Sequence, residues 1–311
     1  MSEPIILPER HGVLIRRGWA VIALICVLDA VWMVAAGIGI TRGMALLVAG
    51  AGLLLAAVAL VYRRFRRDDA IWLAAQVMNQ LVIGSCALAT LSYIGLRLNF
   101  PLMDAQFAAV DRMLHFDWLA YIGWVESHPF IARIFTYSYA ATEPQMLALF
   151  ALLCFTKRFT AFHRLAIGYL LGGLITIVIA DVWPALTAYL FFKVDPAVYP
   201  HLQIAGATVY GQDFFAMRTH QMTVLPKDFQ GMVTFPSYHS VLAVISIFAA
   251  LALRFRWLAA LFIVLNLLTL LSTPVDGGHY LVDTLGGIII GLLVAGAAAR
   301  WLPENKVVAN E

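Results

Sequence analysis

Residues 273–301 read Thr-Pro-Val-Asp-Gly-Gly-His-Tyr-Leu-Val-Asp-Thr-Leu-Gly-Gly-Ile-Ile-Ile-Gly-Leu-Leu-Val-Ala-Gly-Ala-Ala-Ala-Arg-Trp. Beyond Asp283 no charged residue occurs until Arg300, and the run from Tyr280 to Trp301 is long enough to cross the hydrocarbon of a bilayer as a helix. The segment therefore predicts a membrane span, from Tyr280 to Trp301, whose mouth carries a histidine and a carboxylate where an all-apolar sequence would have sufficed.

The rest of the chain has the same character. Of 311 residues, 62% are hydrophobic and 13% charged, against about half and about a quarter in soluble domains. Unbroken apolar runs of about 20 residues predict eight membrane helices. They are Gly18 to Ile40, Gly43 to Tyr62, Ala70 to Leu96, Arg133 to Phe155, Leu165 to Phe192, Tyr238 to Leu253, Trp257 to Ser272 and Tyr280 to Trp301. The expected fold is all-α, a polytopic transmembrane helical bundle of about eight spans. Residues 1–69 form an N-terminal cytoplasmic segment with two extra helices, 70–302 a six-helix catalytic membrane domain, and 303–311 a short polar tail. The first run lacks a small-residue cleavage site and is read as a retained anchor.

Basic residues set the orientation. Arg16 and Arg17 precede the first span, Arg63, Arg64, Arg66 and Arg67 follow the second, Lys157, Arg158 and Arg164 follow the fourth, and Arg254 and Arg256 follow the sixth. Short cytoplasmic loops concentrate such residues, so both termini are expected in the cytoplasm of a multi-pass cell-membrane protein. The segments 97–132 and 193–235 then lie outside. The first carries Asp104, Asp111, Asp117 and Trp118 in a pattern of interfacial amphipathic helices, a lid or collar. The small formal charge of +3, held in brief clusters, points away from nucleic acid. Cys26, Cys86 and Cys154 all fall in apolar runs, without a disulfide or metal pattern.

Two histidine-bearing stretches carry the chemistry, Phe235-Pro236-Ser237-Tyr238-His239-Ser240 and Gly277-Gly278-His279-Tyr280-Leu281-Val282-Asp283. Both fall at the outer face, so residues forty positions apart in sequence can meet at one depth. On a helix, His279 and Asp283 share a face. The carboxylate accepts from one imidazole nitrogen and leaves the other as an oriented nucleophile. Pro236 suits a helix start and Ser237 its cap, making an anion site of free amides and hydroxyls. His239 sits beside it, suited to general acid/base work. Gly277 and Gly278 permit close backbone approach. Arg218 and Lys227 are the nearest external cations, Arg218 being preferred because guanidinium grips phosphate with two bonds.

Pro236, Ser237, Tyr238 and His239, with Ser272, Thr273, His279 and Asp283, resemble the later signatures of the PAP2 superfamily of type 2 phosphatidic acid phosphatases. Those signatures read Pro-Ser-Gly-His and Ser-Arg-x5-His-x3-Asp. Tyr238 stands for the glycine and Thr273 for the arginine, which looks more like the inositol phosphorylceramide and sphingomyelin synthase branch. The family's first stretch, Lys-x6-Arg-Pro, is absent. The resemblance implies a phosphohistidine on His279, with His239 as acid/base and Asp283 as orienting group; Ser237, Tyr238 and Gly278 are expected around the phosphate, with Arg218 and Lys227 as the cations nearest to it. It implies no metal and no cofactor, and a lipid phosphate as substrate partner among membrane lipids. Water or an alcohol as acceptor stays open. So do a non-catalytic carrier or ion path through Asp29, Asp181 and the histidines, and a metal site on His239, His279 and Asp283. Glu143-Pro144, and Asp181 with Pro184, are read first as helix kinks.

Overall fold

The computed structural model describes residues 8–227 and 231–303; residues 304–311 of the polar tail lie outside the described residues. Secondary structure is helical, in the order α1 (Pro8–Ala36), α2 (Arg42–Val61), α3 (Asp69–Gly95), α4 (Asp104–Met113), α5 (Trp118–Glu126), α6 (Pro129–Ala140), α7 (Thr142–Phe155), α8 (Phe159–Val182), α9 (Ala188–Phe191), α10 (Ala205–Arg218), α11 (Tyr238–Ala250), α12 (Arg256–Asp276) and α13 (Leu281–Trp301).

Six of these, α1, α2, α3, α8, α12 and α13, are long and apolar enough to span a membrane, and α7 and α11 are shorter apolar helices of 14 and 13 residues. Together they occupy the eight positions expected from the sequence, with informative differences at their ends. The fourth segment is two helices, α6 and α7, which part at Ala141. Pro144, lacking an amide proton, cannot continue a ladder from α6 but is tolerated in the first turn of a new helix. The Thr142 hydroxyl takes the Tyr139 carbonyl at 2.8 Å, closing the break. The fifth helix stops at Val182 instead of Phe192, since Pro184 drives the preceding Trp183 out of helical geometry (φ −121°, ψ 64°). The kinks expected at both prolines are thus helix ends.

Helices α3, α8, α11 and α13 pack centrally, with α7 and α12 on one side and α1 and α2 on the other. Only 17% and 11% of the apolar windows of α1 and α2 are buried, against 56% for α3, so the N-terminal pair is peripheral. Leu149, Phe150, Leu153, Phe162, Val241 and Val294 belong to a core towards one end. A second core, with Phe107, Trp118, Ile122, Phe135, Tyr189 and Tyr280, lies under α4, α5 and α9.

The segments expected on one side of the membrane touch one another. Gly39, between α1 and α2, donates to Thr223 O at 2.8 Å and accepts from Leu225 N at 2.9 Å. Arg97, just past α3, donates to Ala36 O at 2.8 Å and Met222 O at 2.7 Å. At the opposite end Arg164 binds Leu302 O through Nε and Nη2, and the Arg63 guanidinium lies over Trp72.

Candidate functional site

The site starts from how closely α13 approaches α11. A side chain on Gly287 would put its Cβ 2.2 Å from Ser237 O and 2.7 Å from Ser240 Cβ. One on Gly291, a turn further on, would meet Val244 Cβ at 2.7 Å. This small-residue spacing lets two membrane helices touch backbone to side chain. It brings the start of α11 against the start of α13, where Ser237 N donates to Asp283 O at 2.9 Å.

Ser237 caps α11, its Oγ accepting from Ser240 N at 3.4 Å, after a cis Phe235-Pro236 bond. The first amides of a helix have no carbonyl partner within it, so this capped end offers donors beside the serine hydroxyl.

His279 precedes α13. Gly278 turns the chain with φ +61°, where a side chain would be strained and would also meet Tyr189 at 2.8 Å; its carbonyl accepts from Ala188 N at 2.7 Å. Asp283, at the third position of the helix, reaches back to accept from Tyr280 N at 3.0 Å and to contact His279 Nδ1 at 3.2 Å. The pairing expected from helical spacing is present, but a capping-box geometry makes it. The opposite ring nitrogen, Nε2, lies 3.3 Å from Ser237 Oγ.

His239, in the first turn of α11, has its Nδ1 2.9 Å from the Tyr139 hydroxyl, and the two rings stack at 4.1 Å and 23°. A Cβ on Gly277 would lie 2.6 Å from Tyr139 Oη and 2.5 Å from His279 Cδ2. The bare glycine therefore admits the phenol and the second imidazole at one point. The two histidines are close enough to interact electrostatically.

A polar frame holds this arrangement from the α4–α5 side. Asp104 accepts from the Tyr280 hydroxyl at 2.9 Å and from Leu186 N at 3.0 and 3.1 Å. Asp111 accepts from Leu281 N at 2.8 Å and Val282 N at 2.9 Å. The Trp118 indole donates to His279 O at 2.9 Å and Pro274 O at 3.1 Å. Burial raises both carboxyls above the ordinary range, opposed by those hydrogen bonds. Burial lowers the His279 imidazole from 6.5 to about 4, the Thr234 backbone beside it acting in the other direction.

Of the residues nominated from the sequence, His239, His279, Asp283, Ser237 and Gly278 come together. Tyr238 does not join them: its hydroxyl donates to Tyr169 O at 2.7 Å, towards α8. Arg218 ends α10, donates to Phe100 O at 2.8 Å and lies over the Phe214 ring at 5.4 Å. Lys227 is exposed in a turn. Among the described residues, no hydrogen bond links either cation to the histidines. A cavity of about 430 Å³ lies at the opposite end of the bundle, bounded by Arg158 and Arg164 and remote from this chemistry.

Tyr139, Asp104, Asp111 and Trp118 were not nominated as site residues. The seven-residue interval between Asp104 and Asp111 places them two turns apart on one face, a signal available in the sequence. Nothing local marks Tyr139.

The PAP2 superfamily model matches residues 105–297, from α4 into α13, spanning both histidine stretches. No curated protein and no solved structure matches the chain. Covering more than half of the sequence, and including the two histidines that the fold brings together, the match makes this chain a member of the PAP2 superfamily, a membrane protein of phosphatase or phosphotransferase type.

Proposed function

We propose that the protein removes or transfers the phosphoryl group of a lipid phosphate through a phosphohistidine on His279. The observation that carries this is the alignment of Asp283, His279 and Ser237 on successive atoms, at 3.2 and 3.3 Å, with His239 beside them. The Asp283 carboxylate accepts only, so it selects the tautomer with a proton on Nδ1 and a lone pair on Nε2. That lone pair points at the capped end of α11, where amides and the Ser237 hydroxyl receive phosphate oxygens.

In the first step His279 Nε2 bonds to phosphorus while the bond to the lipid oxygen breaks, and His239 Nε2 gives that oxygen its proton. In the second, His239 takes a proton from water or an alcohol as its oxygen attacks phosphorus, and the P–N bond breaks. We assign the positions around the phosphate to Ser237, Gly278 and the first amides of α11. The arrangement of basic residues favours an extracytoplasmic site in the cell membrane with both termini in the cytoplasm.

Incubating purified protein with phosphatidic acid labelled in its phosphate, then quenching in alkali, tests the reading. Label held by wild type in an acid-labile, alkali-stable bond, and lost in His279→Ala, is expected; no bound label with continuing phosphate release would overturn it. Adding alcohols during turnover separates hydrolysis from transfer. Inhibition by chelator but not vanadate would point instead to metal chemistry on the same residues.

A further inference from the structure

We propose that Tyr139 is the positioning residue of His239, holding Nδ1 against its phenol so that Nε2 faces the phosphate. This rests on the phosphohistidine reading above and assigns a group outside both signature stretches.

Three observations support it. The Tyr139 hydroxyl lies 2.9 Å from His239 Nδ1, and the rings stack at 4.1 Å, so both the direction and the plane of the imidazole are set by one side chain. Tyr139 itself is held at the last turn of α6, where its carbonyl is taken by Thr142 Oγ1 and the helix breaks. Finally, Gly277 leaves room for the phenol beside His279, so the hydroxyl that meets His239 Nδ1 lies next to the second imidazole as well.

The two histidines thus have different Nδ1 partners, and the difference matches different tasks. A carboxylate on His279 stabilises positive charge and strengthens the nucleophile. A neutral phenol oxygen accepts from Nδ1–H of His239 without cancelling the imidazolium charge. The Nε2 proton therefore stays acidic enough to pass to the departing lipid oxygen. The neutral ring left behind keeps its Nδ1 proton and presents a bare Nε2, ready for the proton of the attacking water. No ionised tyrosine is required in either step.

Tyr139→Phe keeps the stacking ring and removes the hydroxyl. The measurement is kcat/KM, which covers formation of the phosphoenzyme, on two esters: phosphatidic acid, whose alkoxide leaving group needs a proton, and p-nitrophenyl phosphate, whose phenolate does not. Wild type is expected to turn over both. The variant should lose roughly tenfold to hundredfold on phosphatidic acid and far less on the aryl ester. Equal losses on both substrates, or none on either, would overturn the assignment. Wild type that neither releases phosphate from these esters, nor passes it to an added alcohol, nor holds it on His279 would overturn the phosphohistidine reading itself.

Should Tyr139→Phe fail to fold, 3-fluorotyrosine at position 139 keeps ring and hydroxyl while weakening the oxygen as acceptor. Asp276 and Glu143 lie within electrostatic range of Tyr139, and His279 within range of His239; all three are unchanged in that protein. The alkaline limb of phosphatidic acid turnover is expected to move to lower pH. An unmoved limb would count against the proposal.

Discussion

Asp111 on α4 caps α13 from a different helix, accepting from Leu281 N at 2.8 Å with one carboxylate oxygen while the other takes the next amide at 2.9 Å. The first turn of α13, and with it the turn that carries His279, is fastened to the amphipathic layer above it. Asp111→Ala should leave two amides without their acceptor at a buried position, costing about 1–3 kcal/mol. Thermal unfolding in detergent should show a lowered midpoint, with Asp111→Asn in between; an unchanged midpoint for the alanine variant would refute the cap.

On the phosphohistidine reading, His279→Ala should abolish turnover with no loss of assembly, because no neighbouring group would replace the bond to phosphorus. Asp283→Asn should slow phosphoenzyme formation by on the order of 10²–10⁴, since an amide can present a donor to Nδ1 and select the wrong tautomer. Rapid-quench measurement of the labelled intermediate distinguishes the two, and an undiminished rate in Asp283→Asn removes it as the orienting group.

Gly287→Leu should drive α13 off α11 and part Ser237 from His279, because the space is already filled by Ser237 O. Overpacking of this kind costs about 1–3 kcal/mol, and activity should fall to background. Gly296 lies on the same helix with nothing within 4 Å of its would-be Cβ, so Gly296→Leu should behave as wild type in both unfolding and turnover. Equal effects at the two positions would mean that close approach of α11 is not what matters.

Arg218→Ala should reduce stability by about 1 kcal/mol through its lost bond to Phe100 O, yet leave KM for a lipid phosphate within about threefold. Lys227→Ala should change neither. If instead KM for Arg218→Ala rises by more than about tenfold at unchanged stability, the guanidinium swings into the site and binds phosphate directly.

The depressed His279 imidazole has a sign that can be measured. Its pKa falls from 6.5 in the unfolded chain to about 4 in the fold. Between those values the unfolded state binds the extra proton, so this group makes the protein less stable as pH falls from 6.5 towards 4. Denaturant midpoints followed over that window should decline, and the decline should shrink in His279→Gln. A midpoint equally steep in the variant would assign the effect elsewhere.

The convergence of His239 and His279 was legible because basic loops report which ends of helices share a side, and apolar runs report where helices lie. Asp283 was legible from its spacing, although the contact arises from a reach back across a cap, a geometry hidden until Gly278 is known to break the helix. Tyr139 was not legible: a tyrosine a hundred residues before its partner looks like any aromatic in a span, and only the seating of α6 on α12, which brings the phenol to His239, gives it a role. Arg218 shows the converse. Its charge and its place in the second long segment, just ahead of the first histidine stretch, point to a phosphate ligand, while the folded chain turns that side chain onto a backbone carbonyl and an aromatic face.

Helix α11 has 13 residues, about 20 Å of rise, against roughly 30 Å of hydrocarbon in a bilayer. Its far end leads into Arg254 and Arg256, residues of the kind that hold a helix end at the aqueous boundary. On the phosphohistidine reading, a helix this short, held at its basic end by the surface, would place Ser237 and His239 in a well below the opposite head-group plane. A lipid ester would then be drawn down to the imidazoles, and water would have to descend to reach it.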